Sequence, residues 1–144
     1  MRRQLLLMLM INGVCLAGCG GPRTGPEPLP LDRVSCSKCS MLISSVSNAG
    51  EALVPGEETG FYDDIGCMAA SATSMKRDAR LFVQLADGAG WASVESAWFA
   101  VAPRTRSPMG YGFMAFAAED EARRADTDGT ARTWESIVRR MGDH

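Results

Sequence analysis

The side chains of this sequence most suited to chemistry are the sulfur groups of Cys36, Cys39 and Met41, in the segment Cys-Ser-Lys-Cys-Ser-Met. Two thiolates three positions apart can converge on one ion, and a thioether two positions later can join them if the backbone turns. Soft sulfur donors favour soft ions, and a mixture of cysteine and methionine suits copper(I) best. A structural zinc site more often uses four Cys or His ligands. The sequence has no second CxxC pair and its only histidine is the terminal His144, so the cluster favours copper(I).

The CxxC spacing also fits two interpretations that need no metal. Such pairs in exported proteins often oxidise to a disulfide, and some are thioredoxin-like redox pairs. A redox pair usually opens a helix after an apolar strand, whereas a proline-rich stretch precedes Cys36 and the β-prone residues 42–46 follow Cys39. The spacing therefore leaves metal binding and a disulfide open, and the flanking residues disfavour the redox pair.

A second group of candidate ligands, Cys67 and Met68, follows the pair Asp63-Asp64. One of these aspartates is expected to cap a helix beginning at Ile65, because a carboxylate can accept hydrogen bonds from the exposed amides of a first turn. A thiol in that turn ionises more readily, since the helix dipole stabilises the thiolate. The alternative for Cys67 is a small buried core residue, as free cysteines often are.

Met109 is the third candidate. It lies between Pro108 and Gly110 and is therefore expected on a loop rather than in a regular element. A stiff turn of this kind can present a thioether to a metal ion. The alternative is a loop methionine that packs over the core.

The N-terminal residues have the pattern of a lipoprotein signal peptide. Arg2 and Arg3 precede an apolar run over residues 5–16, and Leu-Ala-Gly then leads into Cys19, giving a basic start, an apolar stretch and a small-residue cleavage site. We expect residues 1–18 to be removed and Cys19 to carry a lipid that anchors the exported protein on the periplasmic side of a membrane. The alternative is an ordinary signal peptide with an incidental cysteine.

The residues after the signal peptide divide into a tether and a domain. Residues 20–31 include four prolines and three glycines, so residues 19–33 are expected to form a flexible, partly extended tether, and residues 34–142 the folded domain. Cleavage and lipidation would leave three cysteines in the domain. Because an odd number cannot pair fully within one chain, at least one thiol should be free, metal-bound or linked to another molecule.

The net charge and the motif content argue against nucleic-acid binding and against catalysis. Without Arg2 and Arg3 the mature chain carries 13 basic and 17 acidic residues, a net charge of −4, which disfavours nucleic acid as a partner. The sequence has no internal histidine for a catalytic base, no phosphate-binding glycine loop and no nucleophile elbow. An enzyme is therefore not indicated.

The strands and helices that the sequence predicts, which must position the sulfur atoms, indicate one small α+β domain. Residues 48–58 have loop composition. Strands are expected over residues 42–46, 60–64, 80–85, 97–101 and 112–116, and helices over residues 65–76, 118–125 and 133–141.

Three separated segments, in this order and after a lipobox, resemble the NosL family, the accessory lipoproteins of nitrous oxide reductase. They are CSKCSM at residues 36–41, FYDDIGCM at residues 61–68 and PMGYGFMAF at residues 108–116, and the resemblance covers roughly residues 34–138. It implies a fold of ββαβ units similar to part of organomercurial lyase, and the binding and delivery of copper(I) in denitrification. Ser40 departs from the family, which usually has glycine there, and serine adopts a left-handed backbone less easily.

Together these observations predict a lipid-anchored copper(I) chaperone. Its expected partners are the membrane, through the lipid on Cys19, and a copper-receiving protein or the maturation transporter of nitrous oxide reductase. The alternative is a membrane-tethered thiol–disulfide oxidoreductase that uses the CxxC pair; a metal-free protein with a stable disulfide would instead be a structural lipoprotein. The expected ligands of copper(I) are Cys36, Cys39, Met41, Met109, Cys67 and Met68.

Overall fold

The computed structural model describes residues 24–102 and 107–142, which form six strands and three helices. The signal peptide, Cys19 and His144 lie outside these residues. No helix within the described ranges combines the length and the apolar composition needed to cross a bilayer. In chain order the elements are β1 Gly50–Leu53, β2 Gly60–Tyr62, α1 Ile65–Ala72, β3 Arg80–Gln84, β4 Trp91–Ser93, β5 Trp98–Val101, β6 Phe113–Phe116, α2 Glu119–Ala125 and α3 Trp134–Gly142.

The strands form two antiparallel sheets. Four strands follow the order β2-β1-β3-β4, and β5 pairs with β6. The run β1-β2-α1-β3 is therefore one ββαβ unit, and the predicted α+β class is confirmed. The side chains of α1 pack against the first sheet and against α3, while Phe99 of β5 contacts Trp134 of α3 with ring centroids 5.9 Å apart.

Strand β1 is central and wholly buried although its sequence, Gly-Glu-Ala-Leu, resembles a loop. Glycine at position 50 leaves room for Met68 of α1, which fills the space above it. A Cβ at this position would lie 2.8 Å from the methionine sulfur. The buried carboxylate of Glu51 accepts hydrogen bonds from the Glu27 amide at 3.1 and 3.3 Å. Strand β1 thus exists because neighbouring segments complete its packing and its hydrogen bonds.

Residues 24–33, ahead of the expected start of the domain, contact the domain along its surface. Arg80 donates to the Thr24 carbonyl at 2.7 Å, and the Asp32 amide donates to the Ile43 carbonyl at 2.9 Å. Leu29 packs against the core. This segment, which we call the strap, therefore leads directly into the turn that carries Cys36 and Cys39.

Two predicted elements were wrong. Residues 42–46 form no strand; their only ladder contact is an isolated bridge between Ser35 and Leu42, and Leu42 and Val46 are half exposed. Residues 48–58 are not only loop, since they contain β1. Strand β4 was not anticipated.

The first helix ends at Ala72 rather than near residue 76. The Ser71 hydroxyl donates to the Cys67 carbonyl and the Ser74 hydroxyl donates to the Ser71 carbonyl, and such local bonds compete with helical ones. The strands near residues 60, 80, 98 and 113 and both later helices match the prediction within a few residues.

Candidate metal centre

Three thiols and one carboxylate meet in one place. The sulfur atoms of Cys36, Cys39 and Cys67 and a carboxylate oxygen of Asp63 all lie within 4.8 Å of one another. The three cysteines are free thiols. Cys36 and Cys67 are buried, at 2% and 1% exposure, whereas Cys39 is partly exposed. We call these four residues the thiol cluster.

The turn that carries Cys36 and Cys39 is closed by its own backbone. The Cys36 amide donates to the Met41 carbonyl at 2.8 Å, and the Ser40 amide donates to the Cys36 carbonyl at 2.9 Å. The Ser37 amide donates to the Phe61 carbonyl at 2.7 Å, which attaches the turn to β2. Ser40 has φ 65°, the left-handed conformation that glycine would adopt without steric cost.

The adjacent aspartates have different roles. Asp64 is the N-cap of α1: one carboxylate oxygen accepts from the Gly66 amide at 2.8 Å, and the other accepts from the Ser107 hydroxyl at 2.6 Å and the Met109 amide at 3.1 Å. The carboxylate of Asp63 instead accepts from the Cys39 thiol, at 3.5 and 3.6 Å. Asp64 therefore fixes the helix start and the Met109 turn, and leaves Asp63 to the thiol cluster.

The turn around Met109 packs directly on the first turn of α1. A Cβ on Gly66 would lie 2.2 Å from the Tyr111 ring, so the ring occupies the space that any larger side chain would need. The Ser107 hydroxyl also accepts from the Gly112 amide at 2.9 Å. These contacts hold the Ser107–Gly112 turn at the end of the helix that contributes Cys67.

The thiol cluster stabilises one thiolate. A hydrogen bond from the Cys67 thiol is the main reason that the pKa of Cys36 lies well below its ordinary value, and the same bond raises the pKa of Cys67. Burial raises the pKa of Cys39 and of Asp63. Burial is the main reason that the pKa of Tyr111 is raised. Concentrated negative charge in a partly closed site favours a cation, whose binding would displace the remaining thiol protons.

No family model and no curated protein matches the sequence. The structure matches the crystal structure of the copper chaperone NosL from Shewanella denitrificans with a TM-score of 0.63 over 78% of this chain and 96% of that chain, at 13% sequence identity.

The chain has a NosL-like fold.

The resemblance stated from the sequence is thus confirmed for the fold. At 13% identity a shared fold does not carry a shared function, so the chemistry of this chain depends on its own site. That site lies where the NosL-like fold brings the N-terminal turn, the end of β2 and the start of α1 together.

The predicted ligands lie in different environments within the NosL-like fold. Cys36, Cys39 and Cys67 are brought together in the thiol cluster. Met41 and Met109 are 45% and 42% exposed, on the turns that flank it. Met68 is fully buried with its sulfur against Gly50. The role of all six as ligands stays a prediction.

Asp63 was not among the predicted ligands. The signal for it was present in the sequence, because two consecutive aspartates precede the helix and one N-cap needs only one of them. Adjacent residues in an extended backbone point to opposite sides, so the aspartate that does not cap the helix is directed elsewhere, and here it reaches Cys39.

Proposed function

We propose that this protein binds copper(I) through Cys36, Cys39 and Cys67 and passes the ion to another protein. The observation that carries the proposal is the convergence of three free thiols from separate segments within 4.8 Å. Thiolates and thioethers are the ligands that copper(I) prefers. The carboxylate of Asp63 is a poor ligand for such a soft ion, and we assign it to accept the Cys39 thiol proton instead.

The exposure of the proposed ligands suits an ion that is transferred to a partner rather than bound permanently. Two thiols are buried, so they can hold copper(I) away from water, while the partly exposed Cys39 opens the site to an incoming ligand. Met41 and Met109, both half exposed, are the thioethers that we propose to complete the coordination. A partner can then remove the ion by replacing ligands one at a time from the exposed side.

We further propose that the chain acts as an exported lipoprotein. The Leu-Ala-Gly-Cys segment after an apolar run supports lipidation of Cys19 and anchoring on the periplasmic side of a membrane. The resemblance to NosL supports nitrous oxide reductase, or its maturation transporter, as the partner that receives copper(I) in denitrification.

Copper(I) affinity tests this function directly. The reduced protein would be titrated anaerobically with copper(I) against a coloured competing chelator, and we expect one tightly bound ion per chain. Substituting an outer-shell partner of a metal usually costs 10–100-fold in affinity. We therefore expect Cys36→Ser, Cys39→Ser or Cys67→Ser to cost at least about a hundredfold.

The methionines need a matched control. Met41→Leu and Met109→Leu should each weaken copper(I) binding, whereas Met75→Leu should not, because Met75 packs against the core beyond the far end of α1. Wild-type affinity in all three single cysteine variants, or preference of the site for zinc over copper(I), would contradict the proposal.

The alternative function, a thiol–disulfide oxidoreductase, is less consistent with the exposure of the thiols. A catalytic CxxC pair needs its low-pKa thiolate at the surface. In this protein the thiol with the lowered pKa, Cys36, is 2% exposed. We expect no multiple-turnover reduction of a protein disulfide, and turnover would favour the enzyme.

A further inference from the structure

We propose that Cys36 and Cys39 form a reversible disulfide by reaction with an external low-molecular-weight disulfide, with Cys39 reacting first and Cys67 remaining a thiol. This modification requires no metal. Its consequence for copper(I), given below, rests on the proposed function.

The backbone of the turn brings Cys36 and Cys39 within bonding range. The hydrogen bond from the Ser40 amide to the Cys36 carbonyl folds residues 36–40 into one tight turn. That hydrogen bond joins residues four apart, as in one helical turn, where residues three apart have Cα atoms about 5 Å from one another, and disulfides span Cα separations of about 4.4–6.8 Å. The two sulfur atoms are already within 4.8 Å, so side-chain rotation closes most of the remaining gap.

Cys67 is less suited to the bond. It lies in the first turn of α1, whose start is fixed by the Asp64 cap and by the Tyr111 ring over Gly66. Its sulfur lies within the same 4.8 Å of Cys36, but its backbone is held by the helix, whereas Cys36 and Cys39 share one short turn. The flexible partner of Cys36 is therefore Cys39.

The solvent exposure of the three thiols decides which of them reacts first with the external disulfide. A dissolved disulfide must approach the attacking sulfur in line with its S–S bond. Cys36 and Cys67 are buried, whereas Cys39 is partly exposed. The first bond to an external molecule therefore forms at Cys39, and the buried Cys36 lies within reach to displace that molecule.

The two steps balance. In the first, the Cys39 sulfur attacks RSSR and forms a mixed disulfide, releasing one RSH that carries the thiol proton. In the second, the Cys36 sulfur attacks the Cys39 sulfur of the mixed disulfide and releases a second RSH. Two protein thiols are oxidised by two electrons in total and one RSSR is reduced to two RSH.

The disulfide and copper(I) would exclude one another. Oxidation removes two of the three thiolates and leaves only Cys67 beside Asp63. A bound copper(I) ion would conversely occupy the Cys39 sulfur and prevent its attack on RSSR. The thiol cluster would then be loaded only in its reduced form.

Peptide mapping of the full-length chain tests the bond. Trypsin cleaves after Arg33, Lys38 and Lys76, and a protease specific for glutamate cleaves after Glu51, so the three thiols fall in separate peptides. After incubation of the folded, reduced protein with glutathione disulfide and alkylation, we expect peptide 34–38 linked to peptide 39–51, with Cys67 alkylated. Treatment with a reductant should separate the linked peptides.

Two variants sharpen the test. Cys67→Ser should form the same link, whereas Cys39→Ser should slow the loss of the Cys36 thiol roughly tenfold or more, because the buried sulfur then has no exposed partner. A link from peptide 34–38 to the peptide with Cys67, a link between Cys39 and Cys67, a stable glutathione adduct at Cys39, or equal rates in wild type and Cys39→Ser would overturn the proposal.

Copper(I) binding by the oxidised and the reduced protein distinguishes the disulfide proposal from the proposed function. Oxidised wild-type protein should bind no copper(I) until it is reduced, and copper(I) binding by the oxidised protein would refute the exclusion. If the peptide map shows the Cys36–Cys39 link but the reduced protein ignores copper(I), the disulfide stands and the proposed function fails.

Discussion

Replacing Gly66 by alanine should destabilise the protein even though alanine favours helices. Gly66 lies in the first turn of α1, where the Tyr111 ring covers its backbone. A new Cβ would lie 2.2 Å from Cδ2, 2.3 Å from Cγ and 2.6 Å from Cβ of Tyr111. Non-bonded carbons prefer separations of about 3.5–4.0 Å, so the ring and the Met109 turn must move away from the helix.

The magnitude follows from two opposing terms. Overpacking a filled site usually costs about 1–3 kcal/mol, and the overlap of more than 1 Å places Gly66→Ala at the upper end. The better helix propensity of alanine returns up to about 1 kcal/mol. We therefore expect a net loss of about 2 kcal/mol in the free energy of unfolding.

A double-mutant cycle isolates the contact. Urea denaturation of the reduced, metal-free protein would be measured for Gly66→Ala, Tyr111→Gly and the double variant, because glycine at position 111 removes the Cβ as well as the ring. Without the ring, alanine at position 66 should become neutral or stabilising by about 0.5–1 kcal/mol, a reversal of sign. The displaced turn should also make Cys67 react faster with a thiol reagent. An equal cost of Gly66→Ala with and without the ring would refute the reasoning.

Three further substitutions or titrations test the surroundings of the thiol cluster. Asp64→Asn should cost roughly 1.5–3 kcal/mol of stability in urea, because the amide donor that replaces a carboxylate oxygen faces the donating amide of Met109; an unchanged midpoint would contradict this. The metal-free reduced protein should show one thiolate by ultraviolet absorbance at neutral pH, because the pKa of Cys36 is lowered, and Cys67→Ala should move that titration back up toward the ordinary thiol range. A thiol whose pKa is lower in the folded than in the unfolded protein stabilises the fold at pH values above its unfolded pKa. The stabilisation from Cys36 should therefore disappear as the pH falls through its folded pKa. If that stabilisation persisted in acid, it would count against a Cys36 thiolate. Ser40→Gly should raise stability by about 0.5–1 kcal/mol, because a left-handed residue costs about 1–2 kcal/mol and the entropy of glycine offsets part of the gain; a lower urea midpoint would show that Ser40 is not strained.

The sequence was informative where local chemistry decides the structure. An aspartate followed by an apolar stretch predicted the start of α1 at Ile65, and the cap at Asp64 confirms it. The strands at residues 80–84 and 98–101 are centred on apolar, mostly β-favouring residues, which identify a strand whatever it pairs with.

The errors arose where distant residues decide the structure. Leu42 and Val46 are β-prone, yet the backbone of residues 32–35 bonds in this segment only to Leu42 and Ile43 and no ladder extends to Val46, so the segment stays irregular. Gly50 and Glu51 disfavour a strand locally, yet the Met68 side chain and the Glu27 amide provide what each residue needs inside a sheet. No local pattern reveals such partners.

In the candidate site too, the sequence revealed what local patterns decide but not what distant residues decide. Motif spacing identified each cysteine separately, but not that Cys67 approaches the CxxC turn, since this depends on the pairing of the turn with β2. The second acidic residue before the helix, Asp63, could be recognised as surplus to the cap but not as the neighbour of Cys39.

The strap would limit how far the domain can move from a lipid anchor on Cys19. Because Thr24 is already bonded to Arg80, only positions 20–23 separate the docked chain from Cys19. Five Cα steps reach on the order of 17 Å when fully stretched. If Cys19 is lipidated and the thiol cluster binds copper(I), as we propose, the domain is held close to the bilayer, where it meets membrane-bound recipients far more often than freely diffusing ones.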